Sequence, residues 1–422
     1  MRNIKVLICL LLLVTACQKA PKFTFMVGGS PNALLYWQKV IKEFEAKKGI
    51  KVELIRLPAD TEQRRQRIVI PLQAEASDPD VFLMDVIWVG MIAGARWLEP
   101  LNHYITRDNF DINRFFKRVI EDVDTFKHKI IALPVYVDGG LLYYRKDLLS
   151  KYGYREPPST WETLVNMAKQ IQRKERAQNK AFWGFVWQGA MYEGLICTFL
   201  EFCASGNGGI FFNPSGKIKL DTRENQKALE FMVRLIHQEG ISPPNTFTEL
   251  KEEEVRLIFQ HRNALFERNW PYAWILHQQS SLKGKVGITQ LPHFEGGKTA
   301  STLGGWHIGI SKFSDVKEMA WEFVKFVTSF EQQKKFVLEL SWNPGRSDIY
   351  QDSEIREKMP HLIVLKNVFE NAVTRPVSPY YSQISQVIQR HINAALALKE
   401  TPNEALKKAQ TEIDQLFAYY GN

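Results

Sequence analysis

Two acidic residues stand at the ends of apolar segments, where a purely structural core would favour an apolar side chain. Asp85 follows the run Val81 to Met84, and Asp138 closes an apolar segment that begins at Ile130. Tyr136 lies two residues before Asp138 and shares its face if the segment is extended. A buried carboxylate requires hydrogen-bond partners. Asp85, Tyr136 and Asp138 are therefore candidates for ligand binding, and a structural cap is the alternative for the carboxylates.

The common motifs of catalysis and nucleotide binding are absent from the sequence. It contains no nucleophile elbow, no Walker A loop, no His-Glu-x-x-His pair and no dinucleotide fingerprint. One enzymatic alternative remains, because Asp85 and Asp138 could form a carboxylate pair of the glycosidase type. We interpret the protein as a non-enzyme.

The cysteines do not form a disulfide framework. Of the four in the chain, Cys9 and Cys17 lie near the amino end, which leaves Cys197 and Cys203. On one helix their Cα atoms would lie about 9 Å apart, beyond the reach of a disulfide. The sequence therefore predicts two buried free thiols. His and acidic residues are not grouped around them as in a metal site, so a metal is not expected there.

The amino end has the pattern of an export signal. Arg2 and Lys5 precede an apolar run from Val6 to Val14. The segment Val14-Thr15-Ala16-Cys17 is similar to a lipobox, so we expect residues 1–16 to be a lipoprotein signal peptide and the cysteine to carry the lipid. A plain signal peptide with an incidental cysteine is the alternative. The expected location is the periplasm or the cell surface, with the protein anchored to the membrane.

The remaining sequence predicts a mildly basic globular protein. Loss of Arg2 and Lys5 with the leader would reduce the net charge from +9 to +7. Basic runs such as 64–67 lie among glutamine and glutamate on predicted helices, without the aromatic residues typical of nucleic-acid binding. No later stretch approaches the roughly 20 apolar residues of a transmembrane helix.

Strands and helices alternate along the chain, which predicts an α/β architecture with largely parallel sheets. The strand 23–27, the helix 34–44 and the strand 51–56 form the first unit. Because 422 residues exceed what one core usually supports, we expect two lobes. Pro134 interrupts an apolar segment, so 134–140 is a predicted crossing between them, and 286–289 is a second.

Several segments together resemble the extracellular solute-binding proteins of bacterial ABC importers, in the group of maltose- and trehalose-binding proteins. The resemblance rests on segments 80–88, 97–101, 141–149 and 157–162, the last being Pro-Pro-Ser-Thr-Trp-Glu. It implies the two-lobe fold of type II periplasmic binding proteins, with a ligand cleft between lobes joined by hinge strands. We place lobe 1 at 17–133 plus 288–330 and lobe 2 at 134–287 plus 331–422.

The resemblance also implies which residues contact the ligand. Trp270 lies in a segment similar to the one where a family tryptophan stacks on a sugar ring. Gly305 and Trp306 lie where the family supplies backbone amides and a second indole, although a turn before a core tryptophan is the alternative. Arg375, in a proline-flanked stretch, resembles an arginine that reaches the ligand of trehalose-type members. Ser30 in the first turn is a further candidate.

We therefore expect a monomeric solute-binding protein that closes on a trehalose- or maltose-like disaccharide and delivers it to ABC permease subunits. No cofactor and no nucleic-acid partner are expected. An anionic ligand such as a sugar phosphate is the alternative, which Arg375 and the positive net charge of the chain favour. The sequence is also compatible with a glycosidase and with a binding protein that serves a sensor.

Overall fold

A computed structural model describes residues 22–29, 31–58, 61–212, 217–370 and 372–420. The leader, Cys17 and Ser30 lie outside these residues. Among the described residues, no helix has both the length and the apolar content needed to cross a bilayer.

Strands and helices alternate through the first 310 residues, as predicted, and helices make up the remainder. The strands are β1 Lys22–Gly28, β2 Lys51–Leu57, β3 Val81–Asp85, β4 Thr125–Phe126, β5 Lys129–Ile130, β6 Leu133–Gly139, β7 Leu141–Arg145, β8 Trp183–Val186, β9 Phe211–Phe212, β10 Ile218–Lys219, β11 Ala264–Asn269, β12 Val286–Thr289 and β13 Leu303–Ile310. The helices are α1 Pro31–Lys48, α2 Thr61–Gln73, α3 Val89–Gly94, α4 Asn102–Arg107, α5 Lys117–Asp122, α6 Lys146–Lys151, α7 Trp161–Glu175, α8 Glu193–Ser205, α9 Arg223–His237, α10 Glu252–Gln260, α11 Ala273–Gln278, α12 Lys317–Val327, α13 Phe330–Leu340, α14 Ser353–Lys358, α15 Leu362–Glu370, α16 Tyr381–Leu396 and α17 Pro402–Tyr420. Short 3₁₀ turns occupy Val86–Trp88, Ile112–Arg114 and Asp348–Gln351.

Two mixed sheets organise the chain. The first has the order β2-β1-β3-β13-β6, and the second has the order β12-β7-β11-β8. The prediction of largely parallel sheets was wrong, because β13 runs antiparallel to both β3 and β6, and β7 runs antiparallel to both of its neighbours. A strand such as β13, which enters its sheet from the other lobe, is not held to the parallel direction that a helical crossover imposes.

Each sheet has its own aromatic core. In the first lobe Trp37 and Phe44 of α1 are fully buried, with Phe25 and Phe323 packed against them at centroid distances of 5.1 Å. In the second lobe the ring centroids of Trp161 and Phe202 lie 4.4 Å apart. Apolar residues of α16 and α17 complete this second core.

The chain passes between the sheets three times. Gly140 separates β6 in the first sheet from β7 in the second, residues 290–302 lead from β12 back to β13, and residues 372–380 connect α15 to α16. The first passage therefore follows β6 and does not begin at Pro134, which lies in this edge strand, where a missing N–H is tolerated. The predicted second crossing, 286–289, is an edge strand of the second sheet.

The helices that follow β13 divide between the lobes. Trp321 of α12 and Phe336 of α13 belong to the core around Trp37, and Val368 of α15 packs against Gly139. Residues 331–370 thus lie with the first lobe, contrary to the predicted boundary at 330. We propose lobes of 22–139 plus 303–370 and of 141–302 plus 381–420.

Candidate functional site

A cavity of about 720 Å³ lies between the two sheets and receives residues from both. The structure brings together six of the eight predicted ligand-binding residues in its wall, namely Asp85, Asp138, Trp270, Gly305, Trp306 and Arg375. Side chains that sequence reasoning did not predict also line it, among them Trp88, Tyr192, Glu193, Glu252, Tyr272, Tyr381 and Ser385.

Asp85 and Asp138 occupy two strands of the first sheet that flank β13. Asp85 ends β3, where its carboxylate accepts the Ile87 N–H at 3.1 Å and caps the following 3₁₀ turn. Asp138 near the end of β6 accepts a hydrogen bond from the Asn343 amide at 3.1 Å. Asp85 therefore caps this turn and also lines the cavity, and its contact with a ligand stays a prediction.

The electrostatic state of Asp138 is unusual for a carboxyl group. Burial and the nearby charge of Asp85 raise its pKa to about 7, although the hydrogen bond from Asn343 acts to lower it. Burial also raises the pKa of Asp85, and the positive charge of Arg375 opposes this rise. The cavity thus holds two carboxyl groups whose protonation depends on burial and on neighbouring charges.

Two indoles form flat surfaces in the wall. Trp306 of β13 packs edge-on against Trp88 at 5.4 Å, and the guanidinium of Arg64 lies 4.3 Å from the Trp306 ring centroid. Trp270, just after β11, has the guanidinium of Arg268 at 4.1 Å from its ring centroid. Packing of this kind holds each ring in one orientation, so its remaining face is preorganised for a ligand.

Gly305 permits the close approach of β13 to β6. Its φ of +131° is one that other residues rarely adopt, and a Cβ atom there would overlap the Tyr136 carbonyl oxygen. A glycine is therefore required at the position that presents Trp306.

Arg375 is held by contacts from both sides of the cleft. Its Nη1 donates to Glu193 at 2.9 Å and its Nη2 donates to the Leu303 carbonyl at 3.1 Å. The same Glu193 carboxylate accepts the hydroxyls of Tyr381 and Ser385. Glu193 gave no signal in the sequence, because an acidic residue at the start of a helix is common for structural reasons.

Tyr136 is not among the residues that line the cavity, and its predicted contact with a ligand stays a prediction. Its ring packs against Trp342 in a tilted arrangement, with ring centroids 4.5 Å apart. Tyr136 shares a face of β6 with Asp138, but two residues along a strand amount to about 7 Å.

The cationic groups of the described lining already have partners. Arg375 pairs with Glu193, Arg65 donates to Glu62 at 3.1 Å, and the Lys251 ammonium lies 5.4 Å from the Tyr192 ring centroid. The carboxylates in the wall are Glu62, Asp85, Asp138, Glu193 and Glu252. Among the described lining residues acidic groups therefore outnumber basic ones.

Cys197 and Cys203 are both buried free thiols, as predicted. Burial raises the pKa of Cys197 to about 12, so the thiol is protonated at neutral pH.

Comparison with known proteins places this two-lobe architecture in a family. Residues 28–334 match the pattern described as "Bacterial extracellular solute-binding protein". The chain belongs to this family. The resemblance predicted from the sequence is thus confirmed.

Two relatives and one solved structure illustrate how far the similarity of this solute-binding protein extends. It is 36% identical over 375 residues to a "Probable ABC transporter-binding protein" of Deinococcus radiodurans, covering 88% of this chain and 87% of the relative. It is 26% identical to the maltotriose-binding protein of Pyrococcus abyssi, covering 91% of this chain and 80% of the relative. The maltose-bound MalE3 of T. maritima superposes with a TM-score of 0.85 at 41% identity, covering 94% of this chain and all of that one.

Proposed function

We propose that this protein binds an uncharged di- or oligosaccharide of the maltose or trehalose type between its lobes and delivers it to an ABC-type importer. The observation that carries the proposal is the pairing of two flat indoles, Trp270 and Trp306, with the carboxylates Asp85 and Asp138 around one cavity. An indole face suits the C–H surface of a sugar ring, and a carboxylate accepts two hydroxyl hydrogen bonds. A volume of about 720 Å³ lies within the range of small-molecule sites.

The charges of the wall favour a neutral ligand over an anionic one. A sugar phosphate would need a cation with free donors, whereas Arg375 already donates to Glu193 and to a backbone carbonyl. Arg65 donates to Glu62, whereas the Lys251 ammonium has a ring contact with Tyr192 that leaves its N–H donors available. A phosphate would in addition approach several carboxylates, which is unfavourable at short range.

Binding is expected to close the lobes. A sugar in the cavity would contact Asp85 and Trp306 on the first lobe and Trp270 on the second, so a closed geometry makes more contacts than an open one. Such differential affinity is what shifts a hinge equilibrium. The closed shape is the form that we propose the importer's permease subunits recognise.

The test of this function is a calorimetric screen with maltose, maltotriose and trehalose, combined with small-angle scattering. We expect at least one sugar to bind with micromolar affinity, about 8 kcal/mol, and to decrease the radius of gyration. Raising NaCl from about 0.05 to 0.5 M should leave the affinity nearly unchanged, because no ion pair to the ligand is screened. A sugar phosphate that binds tightly and salt-dependently would contradict a neutral ligand, and a sugar recovered in cleaved form would favour a glycosidase.

We also propose that Cys17 carries a lipid anchor and that residues 1–16 are removed as its signal. The proposal rests on the sequence of the leader, since these residues lie outside the described structure. Stable attachment of this kind requires more than one acyl chain. Intact-mass measurement of protein extracted from membranes should therefore show a chain that begins at Cys17 with the added mass of acyl groups. An unmodified amino terminus at another residue would contradict the anchor.

A further inference from the structure

A fully buried ion pair lies behind the cavity, outside the lining already described. Arg268 of β11 and Glu201 of α8 have side chains only 1% and 2% exposed, and Arg268 Nε donates to Glu201 Oε2 at 2.8 Å while Nη2 donates to Oε1. Taking two charges out of water is costly unless further hydrogen bonds compensate. Gln188 supplies one by accepting from Arg268 Nη1 at 3.3 Å, and its own amide donates to the Arg268 carbonyl.

Two of the three passages between the lobes meet at this ion pair. Thr302, the last residue before β13, donates its backbone N–H to Glu201 Oε1 at 3.1 Å. Gly140, between β6 and β7, lies so close that a Cβ there would overlap Glu201 Oε1 and lie 2.6 Å from Arg268 Nη2. The two passages are also joined directly, because the Ser301 hydroxyl donates to the Gly140 carbonyl at 2.7 Å.

The same ion pair supports a wall of the cavity. The Arg268 guanidinium carbon lies 4.1 Å from the centroid of the Trp270 ring and covers one of its faces. The backbone of Trp270 is fixed independently, because its N–H donates to Asn269 Oδ1 at 2.8 Å and its carbonyl accepts the Tyr143 hydroxyl at 2.8 Å. Arg268 therefore helps to set the tilt of the indole, together with the hydrogen bond from Trp270 Nε1 to Glu252 at 3.3 Å, but does not set the path of the chain.

We propose that Arg268 and Glu201 are positioning residues that tie the lobe passages at Gly140 and Thr302 to the sugar-stacking face of Trp270. When the lobes rotate relative to each other, Gly140 and Thr302 move against Glu201 and Arg268. The Arg268 guanidinium then shifts against the Trp270 ring and changes the position of the indole. The angle between the lobes and the position of the Trp270 ring are therefore coupled through one cluster of contacts. This inference rests on the proposed function, since it assigns the exposed face of Trp270 to a sugar.

The test replaces the ion pair by apolar residues of similar size, Arg268→Met with Glu201→Leu, because such replacements are often neutral for stability. The Thr302 N–H and Gln188 lose their partners in this variant, so we expect a melting temperature below that of the wild type. We expect maltose affinity weaker by about tenfold and a dissociation rate raised by a similar factor, with little change in association rate. Thermal unfolding, calorimetry and stopped-flow fluorescence give these values. Wild-type affinity and dissociation rate in a folded double variant would overturn the proposal.

A control pair and a second variant keep the test decisive. Arg145 at the far end of β7 and Asp147 of α6 form a less buried ion pair, with side chains 7% and 33% exposed and Nη2 and Oδ2 2.6 Å apart. Arg145→Met with Asp147→Leu should change stability without changing sugar affinity. If the first double variant does not fold, Arg268→Lys retains the charge opposite Glu201 but loses the flat cover of the indole. We expect it to weaken maltose binding several-fold, and unchanged affinity would overturn the proposal.

The failure of this inference differs from the failure of the proposed function. If the wild type binds none of the sugars tried, the function is wrong. If the wild type binds maltose and both variants of Arg268 bind it equally well, the function stands and the positioning role is wrong.

Discussion

Replacement of Trp270 by alanine is expected to weaken sugar binding by about thirtyfold while leaving the protein folded. The ring has Arg268 on one face and hydrogen-bonds Glu252 through Nε1 at 3.3 Å, so its other face is preorganised. Loss of an anchoring indole at the centre of a site typically costs about 2 kcal/mol, which corresponds to this factor. Calorimetric titration with the best sugar of the screen measures the change.

Trp274 provides a matched control for this substitution. It is also half-buried and lies four residues further along the chain, but its ring stacks on His361 at 5.1 Å and does not line the cavity. Trp274→Ala should therefore lower the melting temperature without weakening sugar affinity. Equal affinity losses in the two variants would mean that the effect is one of stability, and an unchanged affinity in Trp270→Ala would remove this indole from the site.

The parts of the site that could be predicted from sequence follow from local rules or from the family resemblance. Asp85 and Asp138 are conspicuous because a charged residue ends an apolar strand, whereas Gly305 and Trp306 were predicted from the resemblance. All four line the cavity.

The contacts that could not be predicted join residues far apart in the chain. Glu193 and Arg375 are separated by 182 residues, and only the packing of α16 on α8 brings Tyr381 and Ser385 to the same carboxylate. Arg268 and Glu201 of the buried ion pair are also far apart, with 67 residues between their positions in the chain. No periodicity or motif in one sequence records such pairings.

The lobe boundaries illustrate the same limit. Pro134 was interpreted as the start of a crossing because proline is poorly tolerated in a central strand, yet β6 is an edge strand and accommodates it. Whether a strand lies at the edge depends on β13, which follows much later in the chain. Sequence alone therefore predicted two lobes but not which helices belong to each.

Asp138→Asn is expected to have opposite effects on stability and on binding. Because its pKa is raised from 3.8 to about 7 in the folded protein, the folded state binds the proton more tightly than the unfolded state. The stability from this preference is complete below about pH 3.8 and is lost as the pH rises to 7, where a buried carboxylate becomes charged. Asparagine avoids this charge, so the variant should unfold at a higher temperature than the wild type at pH 8, and the difference should disappear near pH 4.

Sugar binding should change in the other direction. An ionised carboxylate is the stronger acceptor for sugar hydroxyls, so wild-type affinity is expected to rise as the pH increases through 7. An amide loses one acceptor, at a cost of about 2 kcal/mol, so affinity in the variant should be some thirtyfold weaker at pH 8 and nearly independent of pH.

Asp122 supplies the control that separates the two effects. Desolvation raises the pKa of its carboxyl group too, but the side chain is 42% exposed, pairs with Arg118 and lies on α5, outside the cavity wall. Asp122→Asn should therefore leave the affinity and its pH profile unchanged, with little effect on stability. If Asp138→Asn bound sugar with the wild-type affinity and pH dependence, this carboxylate would have no contact with the ligand. The gain in stability would then reflect desolvation of the carboxylate alone. The unfolding temperature and the sugar affinity must therefore be measured on the same variant to show whether the buried charge is retained for binding.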